Sequence, residues 1–238
     1  MQLTLPIRDV VHATPRARRV TLDLGGAPFP YLAGQAVLIA PSGGPVKKRP
    51  YSLTTSPREA LRNDTIELLI GVNAEGQTGT GLLLDPGAPV DVEGPLGRFT
   101  FPENPEERRF LFIAGGTGIA PLRAMLHEAL VVPHAEIGVL YSARAPSEFA
   151  YEQELRQLAQ TRRIELELRV TREDAPQGWT GTRGRLSASD LGPLVHGRET
   201  LCFVCGPPAL VEEIPRALEE LGVPRHRIRR EEWNATGP

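Results

Sequence analysis

A glycine-rich turn between two apolar segments is the feature of this sequence best suited to binding a phosphate. Residues 112–121 read FIAGGTGIAP, an apolar run followed by a turn and an amphipathic segment. Glycine lets the backbone approach an anion closely, and the free N–H groups at a helix start bind phosphates. Pro121 suits the first turn of that helix but replaces the third glycine of the common dinucleotide fingerprint. Residues 115–118, the glycine loop, therefore predict a pyrophosphate site, with an ordinary packing turn as the alternative.

Two further turns have the composition of phosphate sites. Residues 76–81 read GQTGTG, and their glycines, hydroxyls and backbone N–H groups precede an apolar segment. Residues 204–208 read VCGPP, a strand end followed by a tight turn and a helix start. Because ligands of open α/β sheets bind at the carboxyl ends of the strands, we expect this second turn beside the glycine loop. For residues 76–81, a plain turn is the alternative.

Arg49, Pro50, Tyr51 and Ser52 follow one another on a predicted strand. Side chains alternate along a strand, so Arg49 and Tyr51 share one face and Ser52 lies on the other unless a bulge intervenes. A cation, an aromatic ring and a hydroxyl together suit a flat aromatic phosphate ester. An ordinary barrel strand is the alternative interpretation.

The two cysteines, Cys202 and Cys205, have the spacing of a redox or metal motif. They belong to a short strand-like segment, and residues three apart on a strand face opposite ways. The sequence therefore favours neither a disulfide nor a metal site there. Two thiolates are also too few to hold an iron–sulfur cluster.

The bulk composition narrows the class of protein. Hydrophobic residues make up 40% and charged residues 24% of the chain, as in a soluble globular protein with a packed core. A net charge of −2 gives no reason to expect nucleic acid or an anionic membrane as the main partner. The apolar runs are too short to span a bilayer, and the first residues lack the order of a signal peptide. A cytoplasmic location is the resulting expectation.

The two halves of the chain have different secondary-structure patterns. Residues 1–102 carry short strand-like runs separated by Gly- and Pro-rich turns, which predicts a barrel or sandwich. Residues 106–238 alternate strands and helices, which predicts βαβ units on a parallel sheet. The segment between the halves is polar and interrupted by prolines. Pro215 lies inside the last predicted helix, over 207–221, and we expect it to kink that helix or end it early.

Five motifs in this order resemble the ferredoxin–NADP reductase superfamily over nearly the whole chain. They are RPYS at 49–52, GTGLL at 79–83, GPLGRF at 94–99, GGTGIAP at 115–121 and CGPP at 205–208. The resemblance implies a six-stranded antiparallel flavin-binding barrel at 1–102 and a parallel-sheet nucleotide-binding domain at 106–238. It also implies an enzyme that moves hydride from NAD(P)H onto FAD. FMN remains open, because the sequence shows no clear partner for an adenine.

The resemblance also implies which residues hold the flavin. They are Arg49, Pro50, Tyr51, Ser52, Gly79, Thr80 and Gly81. Within this set, Arg49 contacts the flavin phosphates, Tyr51 lies against the isoalloxazine ring, and Ser52 hydrogen-bonds near flavin N5. Thr80 stands where the superfamily more often has serine.

A second set of residues is implied to hold the nicotinamide dinucleotide. It comprises Gly116, Thr117, Gly118, Pro121, Cys205, Gly206 and Pro207. Cys205 is expected near the nicotinamide carbon that donates hydride, and it joins Ser52 and Glu231 as a catalytic residue. Glu231 stands two residues before Trp233, which matches the acidic and aromatic pattern at the end of many members. Trp233 is then expected to cover the flavin face, although a packed terminal strand is the alternative.

Three arginines bear on the choice of nucleotide. The second strand of the rear half ends LYSAR, without the carboxylate that NAD sites usually offer to the ribose hydroxyls. Arg144, Arg172 and Arg185 resemble the set by which bacterial members bind the 2′-phosphate of NADP, which suits the guanidinium fork. We therefore expect NADPH to be preferred, with NADH still open. Solvated surface arginines are the alternative.

The electron acceptor is expected to be a separate molecule, since the chain lacks the cysteines of a fused ferredoxin module. A ferredoxin, a flavodoxin, an oxygenase component and a small molecule all remain candidates. A different class of function also remains open, in which the chain is a flavin-binding electron-transfer or redox-sensing subunit of a larger complex.

Overall fold

The first half of the chain folds as an antiparallel sheet and the second half as a parallel one. The computed structural model describes residues 1–43, 47–172, 179 and 181–232. The first half contains β1 (Gln2–Thr14), β2 (Ala17–Asp23), β3 (Ala36–Pro41), β4 (Arg49–Ser52), α1 (Pro57–Asn63), β5 (Thr65–Gly71) and β6 (Pro89–Leu96). The second half contains β7 (Arg109–Gly115), α2 (Ile119–Ala129), β8 (Glu136–Ala143), α3 (Glu152–Gln160), β9 (Glu165–Val170), β10 (Thr182–Arg183), α4 (Ala188–Leu191), β11 (Leu201–Gly206), α5 (Pro208–Glu220) and β12 (Ile228–Glu232).

The antiparallel strands close into a barrel. Their order is β4-β3-β6-β1-β2-β5, and every pairing between neighbours is antiparallel. The two edges meet where Leu53 bridges Leu68 of β5 and the amide of Thr54 donates to the carbonyl of Glu67 at 2.9 Å. Alternate apolar side chains of the strands fill the interior. The predicted six-stranded antiparallel barrel is confirmed.

The sequence did not predict two elements of the barrel half. β1 is 13 residues long and lies between β6 and β2, but most of its exposed positions are polar and only Leu5 and Ile7 are buried. α1 is a seven-residue helix that buries only Ala60, too short for a helical period to show. Its start does carry a local signal, a capping box between Ser56 and Glu59.

The parallel sheet has the order β10-β9-β8-β7-β11-β12, with α2 and α5 packed against β7 and β11. Cys202 and Cys205 are both buried free thiols on β11, and they belong to core clusters on opposite faces of the sheet. The predicted alternation of these two side chains is therefore correct. The ring of Phe101 packs edge-on against Phe110 and at a tilt against Phe203, so the segment that links the halves packs into the core of the second half. A domain boundary between 102 and 106 stays a prediction.

Pro215 neither ends α5 nor leaves its backbone unsatisfied. The helix continues to Glu220, so the predicted early end is wrong. Proline lacks the N–H that would bond the carbonyl four residues earlier, which is that of Val211. Nη1 of Arg230 on β12 donates to this carbonyl at 3.3 Å and replaces the missing partner. Within the described residues, no helix is long and apolar enough to cross a membrane.

Candidate functional site

The glycine loop and the 204–208 turn pack directly against each other. They follow β7 and β11, which are neighbouring parallel strands paired at Ala114 and Cys205. A Cβ on Gly118 would overlap the backbone of Cys205, and a Cβ on Gly206 would lie 3.0 Å from the backbone of Gly115. The two turns approach this closely only because these positions carry no side chain. The predicted juxtaposition at the carboxyl edge of the sheet is present.

A cavity of about 750 Å³ opens beside these turns, between the barrel and the parallel sheet. From the second half it is lined by four of the predicted nucleotide-binding residues: Gly116, Thr117, Arg144 and Pro207. Gly116 has a φ of +56°, the left-handed region that favours glycine, and it is exposed to the cavity. The barrel contributes the β1–β2 turn and the end of β5, including Arg16 and Asn73. No local feature of the sequence predicts that these barrel residues lie at the site.

Two other predicted nucleotide-binding residues act beneath this surface. Gly118 is buried against the backbone of Cys205, and Pro121 is buried in the first turn of α2. Both support the loop from below, and neither lines the cavity.

Tyr141 holds the glycine loop and was missed by the sequence analysis. Its buried hydroxyl donates to the carbonyl of Gly116 at 3.0 Å and accepts from the amide of Ala150 at 3.2 Å. Burial raises the pKa of this phenol, so it remains a neutral donor. In the sequence, Tyr141 ends an apolar strand and looks like any core aromatic residue. Its role follows from a contact between segments that are 25 residues apart.

Cys205 and Glu231 lie side by side, because β11 and β12 pair in register at these two residues. Burial, with a contribution from the charge of Glu231, raises the pKa of the Cys205 thiol well above its usual value. Burial also raises the pKa of Glu231 to about 7. Near neutral pH the thiol is therefore neutral and the carboxyl is about half protonated. Ser52, the third predicted catalytic residue, is buried on β4 and has no hydrogen bond to either group among the described residues.

The two predicted flavin-binding motifs of the barrel meet in space. A Cβ on Gly79 would lie 3.2 Å from Nη1 of Arg49, so the guanidinium packs over this glycine. Tyr51 lies close to Thr80, and burial raises the pKa of Tyr51 against the opposing effects of Thr80 and Arg49. The β3–β4 pairing has no bulge, so Arg49 and Tyr51 share a face, as predicted. Arg49 makes no ion pair with another described residue.

The remaining members of these motifs complete the two segments. Pro50 and Ser52 occupy the other face of β4, and Ser52 pairs with Ala36. Gly81 is exposed and left-handed, with a φ of +67°. The two segments therefore bring a guanidinium, a phenol ring and a backbone turn to one place.

The three predicted arginines lie at the carboxyl ends of three neighbouring strands. Arg144 follows β8, Arg172 follows β9, and Arg185 follows β10. The amide of Arg172 donates to the carbonyl of Arg144 at 3.3 Å, so the first two are in direct backbone contact. All three are exposed and form no ion pair with another described residue. Arg144 lines the cavity, while Arg172 and Arg185 lie along the same sheet edge.

Arg169, which the sequence analysis did not single out, fixes the segment that carries Arg185. Its guanidinium is buried, and Nη1 donates to the carbonyls of Arg183 and Arg185 at 3.1 and 3.3 Å. Nη2 is paired with Glu167 and Asp190. A buried arginine in this position holds the β10 segment against the end of β9. Trp233 lies outside the described residues.

Comparison with known proteins identifies the family. A family model for the oxidoreductase NAD-binding domain matches residues 112–215. Ferredoxin–NADP reductase B of Sorangium cellulosum is 34% identical over 237 residues, which cover 93% of this chain and 93% of the relative. The chain belongs to the ferredoxin–NADP reductase superfamily. It is therefore an FAD-dependent NAD(P)H oxidoreductase, and the predicted enzyme class and cofactors are confirmed.

Other members of the superfamily agree with this assignment. The reductase subunit of stachydrine N-demethylase from Rhizobium meliloti is 31% identical, and the match covers 95% of this chain and 66% of that one. The crystal structure of the Amycolatopsis cytochrome P450 reductase GcoB has a TM-score of 0.83 at 26% identity, covering 99% of this chain and 71% of that one. A Neisseria gonorrhoeae ferredoxin NADP⁺ reductase with bound FAD and NADP supports the fold, with a TM-score of 0.78 at 20% identity over 97% of this chain and 98% of that one.

Proposed function

We propose that this reductase uses NADPH in preference to NADH and passes electrons through FAD to a separate protein, either a ferredoxin or an oxygenase component. The observation that carries the nucleotide preference is the row of exposed arginines, Arg144, Arg172 and Arg185, at the ends of neighbouring strands. A guanidinium matches the geometry of a phosphate through its fork of donors. A 2′-phosphate would therefore find up to three cations that have no ion pair within the described residues.

The residues of the cavity fit the shared part of a nicotinamide dinucleotide. Gly116 and Thr117 present a left-handed turn and a helix start to the cavity, the arrangement that binds a pyrophosphate. Gly206 and Pro207 would border the nicotinamide end, with Gly118 and Pro121 supporting the loop from below. Tyr141 fixes the carbonyl of Gly116 and so helps to hold the shape of the loop.

The barrel residues fit a flavin. Arg49 has no ion pair within the described residues, and it packs over Gly79 beside Tyr51 and Thr80. A cation over a glycine turn suits the phosphates, and a phenol ring beside it suits the face of an aromatic ring. Ser52 would place a hydroxyl near flavin N5, and Gly81 would complete the turn. Bound FAD supplies hydride acceptance from NAD(P)H and onward transfer of electrons singly or in pairs.

The protein aligns the two ring systems and controls charge near them. Cys205 would contact the nicotinamide through a neutral, buried thiol that excludes water. Glu231 holds a proton on its carboxyl up to about pH 7, so its charge near the ring depends on pH. Trp233 as the cover of the flavin face and a cytoplasmic location both remain predictions from the sequence.

The acceptor is proposed from the relatives. Two of them are named as a ferredoxin reductase and as the reductase subunit of a demethylase. In this chain the two cysteines are buried on opposite faces of one sheet and do not form a cluster site. A separate iron–sulfur protein, or a separate oxygenase that contains haem, would then receive the electrons.

Purified protein mixed with NADPH or NADH under argon tests this proposal. We expect the visible flavin absorbance to bleach with both nucleotides, at a higher kcat/KM for NADPH. Addition of a ferredoxin or an oxygenase component should then restore the oxidised flavin spectrum. A protein that binds flavin but is reduced by neither nucleotide would instead be an electron-transfer or redox-sensing subunit, and a higher kcat/KM for NADH would refute the argument from the arginines.

A further inference from the structure

One charged contact crosses the nucleotide cavity from the barrel to the parallel sheet. Arg16 lies in the tight turn between β1 and β2, and Glu148 lies in the 3₁₀ turn Pro146–Glu148 that follows β8. Nη2 of Arg16 is 2.7 Å from Oε2 of Glu148. Both residues line the cavity. The pair therefore lies where a dinucleotide would pass between the two halves.

The charges of the cavity wall make this pair unusual for an anion site. Among the described residues that line the cavity, Arg16, Arg144 and Glu148 are the charged ones. An unpaired carboxylate beside a phosphate site would repel the ligand, because both are negative. Arg16 neutralises the carboxylate of Glu148 through this ion pair. If the ion pair between Arg16 and Glu148 opened, the Arg16 guanidinium would be free to face the cavity.

The contact lies next to the glycine loop rather than at the far end of the cavity. Glu148 is close enough to Tyr141 that its charge adds to the effect of burial in raising the pKa of that phenol. The same hydroxyl donates to the carbonyl of Gly116 at 3.0 Å. Arg16 and the glycine loop thus line the same cavity, with Arg16 on the barrel side.

The backbone of Arg16 is fixed, whereas its side chain is free to exchange partners. The carbonyl of Arg16 accepts from the amide of Val72 at 2.9 Å, and its amide donates to Oγ1 of Thr14 at 3.2 Å. The Arg16 side chain is 49% exposed, and that of Glu148 is 21% exposed. A half-exposed ion pair contributes little to stability, so its exchange for a phosphate contact costs little.

We propose that Arg16 is a phosphate ligand supplied by the barrel to the nicotinamide dinucleotide, and that Glu148 holds this guanidinium in position until the pyrophosphate binds. The inference rests on the proposed nucleotide site. It differs from the proposed role of Arg144, which concerns the 2′-phosphate of NADPH alone. Arg16 acts on the pyrophosphate, which NADPH and NADH share.

Calorimetric titration of the oxidised, flavin-loaded protein with NADP⁺ and with NAD⁺ tests this proposal. Arg16→Ala is expected to weaken both nucleotides by about tenfold, the size of one charge-assisted hydrogen bond at a partly exposed position. Arg144→Ala is expected to weaken NADP⁺ alone. The matched control is Arg8→Ala, because Arg8 is also a half-exposed barrel arginine paired with a carboxylate, that of Asp23 at 3.1 Å, but does not line the cavity. It should leave both affinities unchanged.

A double variant separates phosphate binding from simple neutralisation of Glu148. If Arg16 is a ligand, Arg16→Ala combined with Glu148→Gln stays weaker than Glu148→Gln alone. If Arg16 only neutralises Glu148, the double variant matches Glu148→Gln and the proposal is overturned. Unchanged affinity in Arg16→Ala, or a loss for NADP⁺ alone, also overturns it. If Arg16→Ala does not fold, Arg16→Gln replaces it. A wild-type protein that binds neither nucleotide would defeat the proposed function itself.

Discussion

At the scale of single residues, Cys205 and Glu231 give the site its pH-sensitive charge. Burial raises the pKa of both groups. The pair is therefore uncharged below neutral pH and carries one added carboxylate charge above it. A nicotinamide ring placed beside Cys205 would meet a different local charge on either side of about pH 7.

Replacement of Glu231 by Gln is expected to flatten the pH dependence of stability. The folded carboxyl keeps its proton to about pH 7, whereas the unfolded one loses it near its ordinary pKa of 4.5. The folded state thus binds more protons between these pH values, and the free energy of unfolding falls as the pH rises through this window. Urea unfolding at several pH values in this window measures how steeply the free energy of unfolding falls with pH. The same slope in Glu231→Gln would show that another group is responsible.

Ser52 and Cys205 are expected to affect hydride transfer more than binding. Ser52→Ala removes a hydroxyl proposed to lie near flavin N5 and should slow flavin reduction about tenfold, the value of one hydrogen bond, while the flavin stays bound. Cys205→Ser should slow the same step with little change in nucleotide affinity. Stopped-flow bleaching of the flavin by NADPH measures both rates. If both variants keep the wild-type rate, neither residue belongs to the reacting site.

The residues that the sequence predicted and those it missed differ in one physical respect. Gly116, Arg144 and Cys205 lie at strand ends and turns, whose positions follow from local patterns of apolar residues and glycine. Arg16 and Tyr141 act through contacts between distant segments, Arg16 with Glu148 and Tyr141 with the glycine loop. No local pattern encodes such a contact, so only the folded chain reveals their place in the site.

At the scale of elements, apolar periodicity located the strands and helices with a buried face. β7 and β11 were predicted because all of their central residues are apolar. β1 was missed because half of it faces solvent. Pro215 was expected to kink α5 or end it early, and the helix does not end there; Arg230 supplies a donor to the freed carbonyl of Val211.

Close packing of the two glycine turns is expected to limit what Gly118 tolerates. Gly118→Ala would push a methyl group into the backbone of Cys205, which cannot move away as a flexible side chain would. We expect a loss of about 1–3 kcal/mol in the free energy of unfolding, together with weaker binding of both nucleotides. Gly192→Ala is the control, because nothing lies within 4 Å of its added Cβ. Equal stability of the two variants would contradict the packing argument.

At the scale of the whole molecule, a buried polar cluster joins the barrel to the parallel sheet. Glu67 on β5 accepts from the hydroxyls of Thr54 and Tyr151, both at 2.8 Å, and pairs with Arg19. The ring of Tyr151 lies between the guanidinium groups of Arg19 and Arg123, at 5.2 and 5.0 Å. The hydrogen bond from Tyr151 to Glu67 joins the second half to the barrel. Thr54 and Arg19 hold the Glu67 carboxylate in place from within the barrel. The halves should therefore unfold together.

Arg123 on α2 makes a second set of polar contacts between the two halves. It pairs with Glu59 of α1 and Glu154 of α3, and donates to the carbonyl of Thr54 at 2.8 Å. Burial alone would raise the pKa of Glu154, but His127 and Arg123 hold it at about 2. A carboxyl whose pKa is lowered in the folded state stabilises that state at pH values above its ordinary pKa of 4.5. This stabilisation is lost as the pH falls toward about 2. Acid should thus weaken the connection between the halves.

Arg123→Gln is expected to cost about 3 kcal/mol and to separate the unfolding of the two halves, because it takes a largely buried guanidinium away from two partly buried carboxylates, those of Glu59 and Glu154. In a Trp233→Phe background, Trp179 of the second half is the remaining tryptophan, so its fluorescence follows the parallel sheet while flavin release follows the barrel. With Arg123 in place, the two signals should change at one urea concentration.

Arg58→Gln is the control, since Arg58 also joins α1 to Glu128 of α2 but its side chain is 67% exposed. It should cost less than about 1 kcal/mol and keep the transitions together. Coincident transitions in Arg123→Gln would mean that apolar contacts, such as those of Phe101, are sufficient to couple the halves.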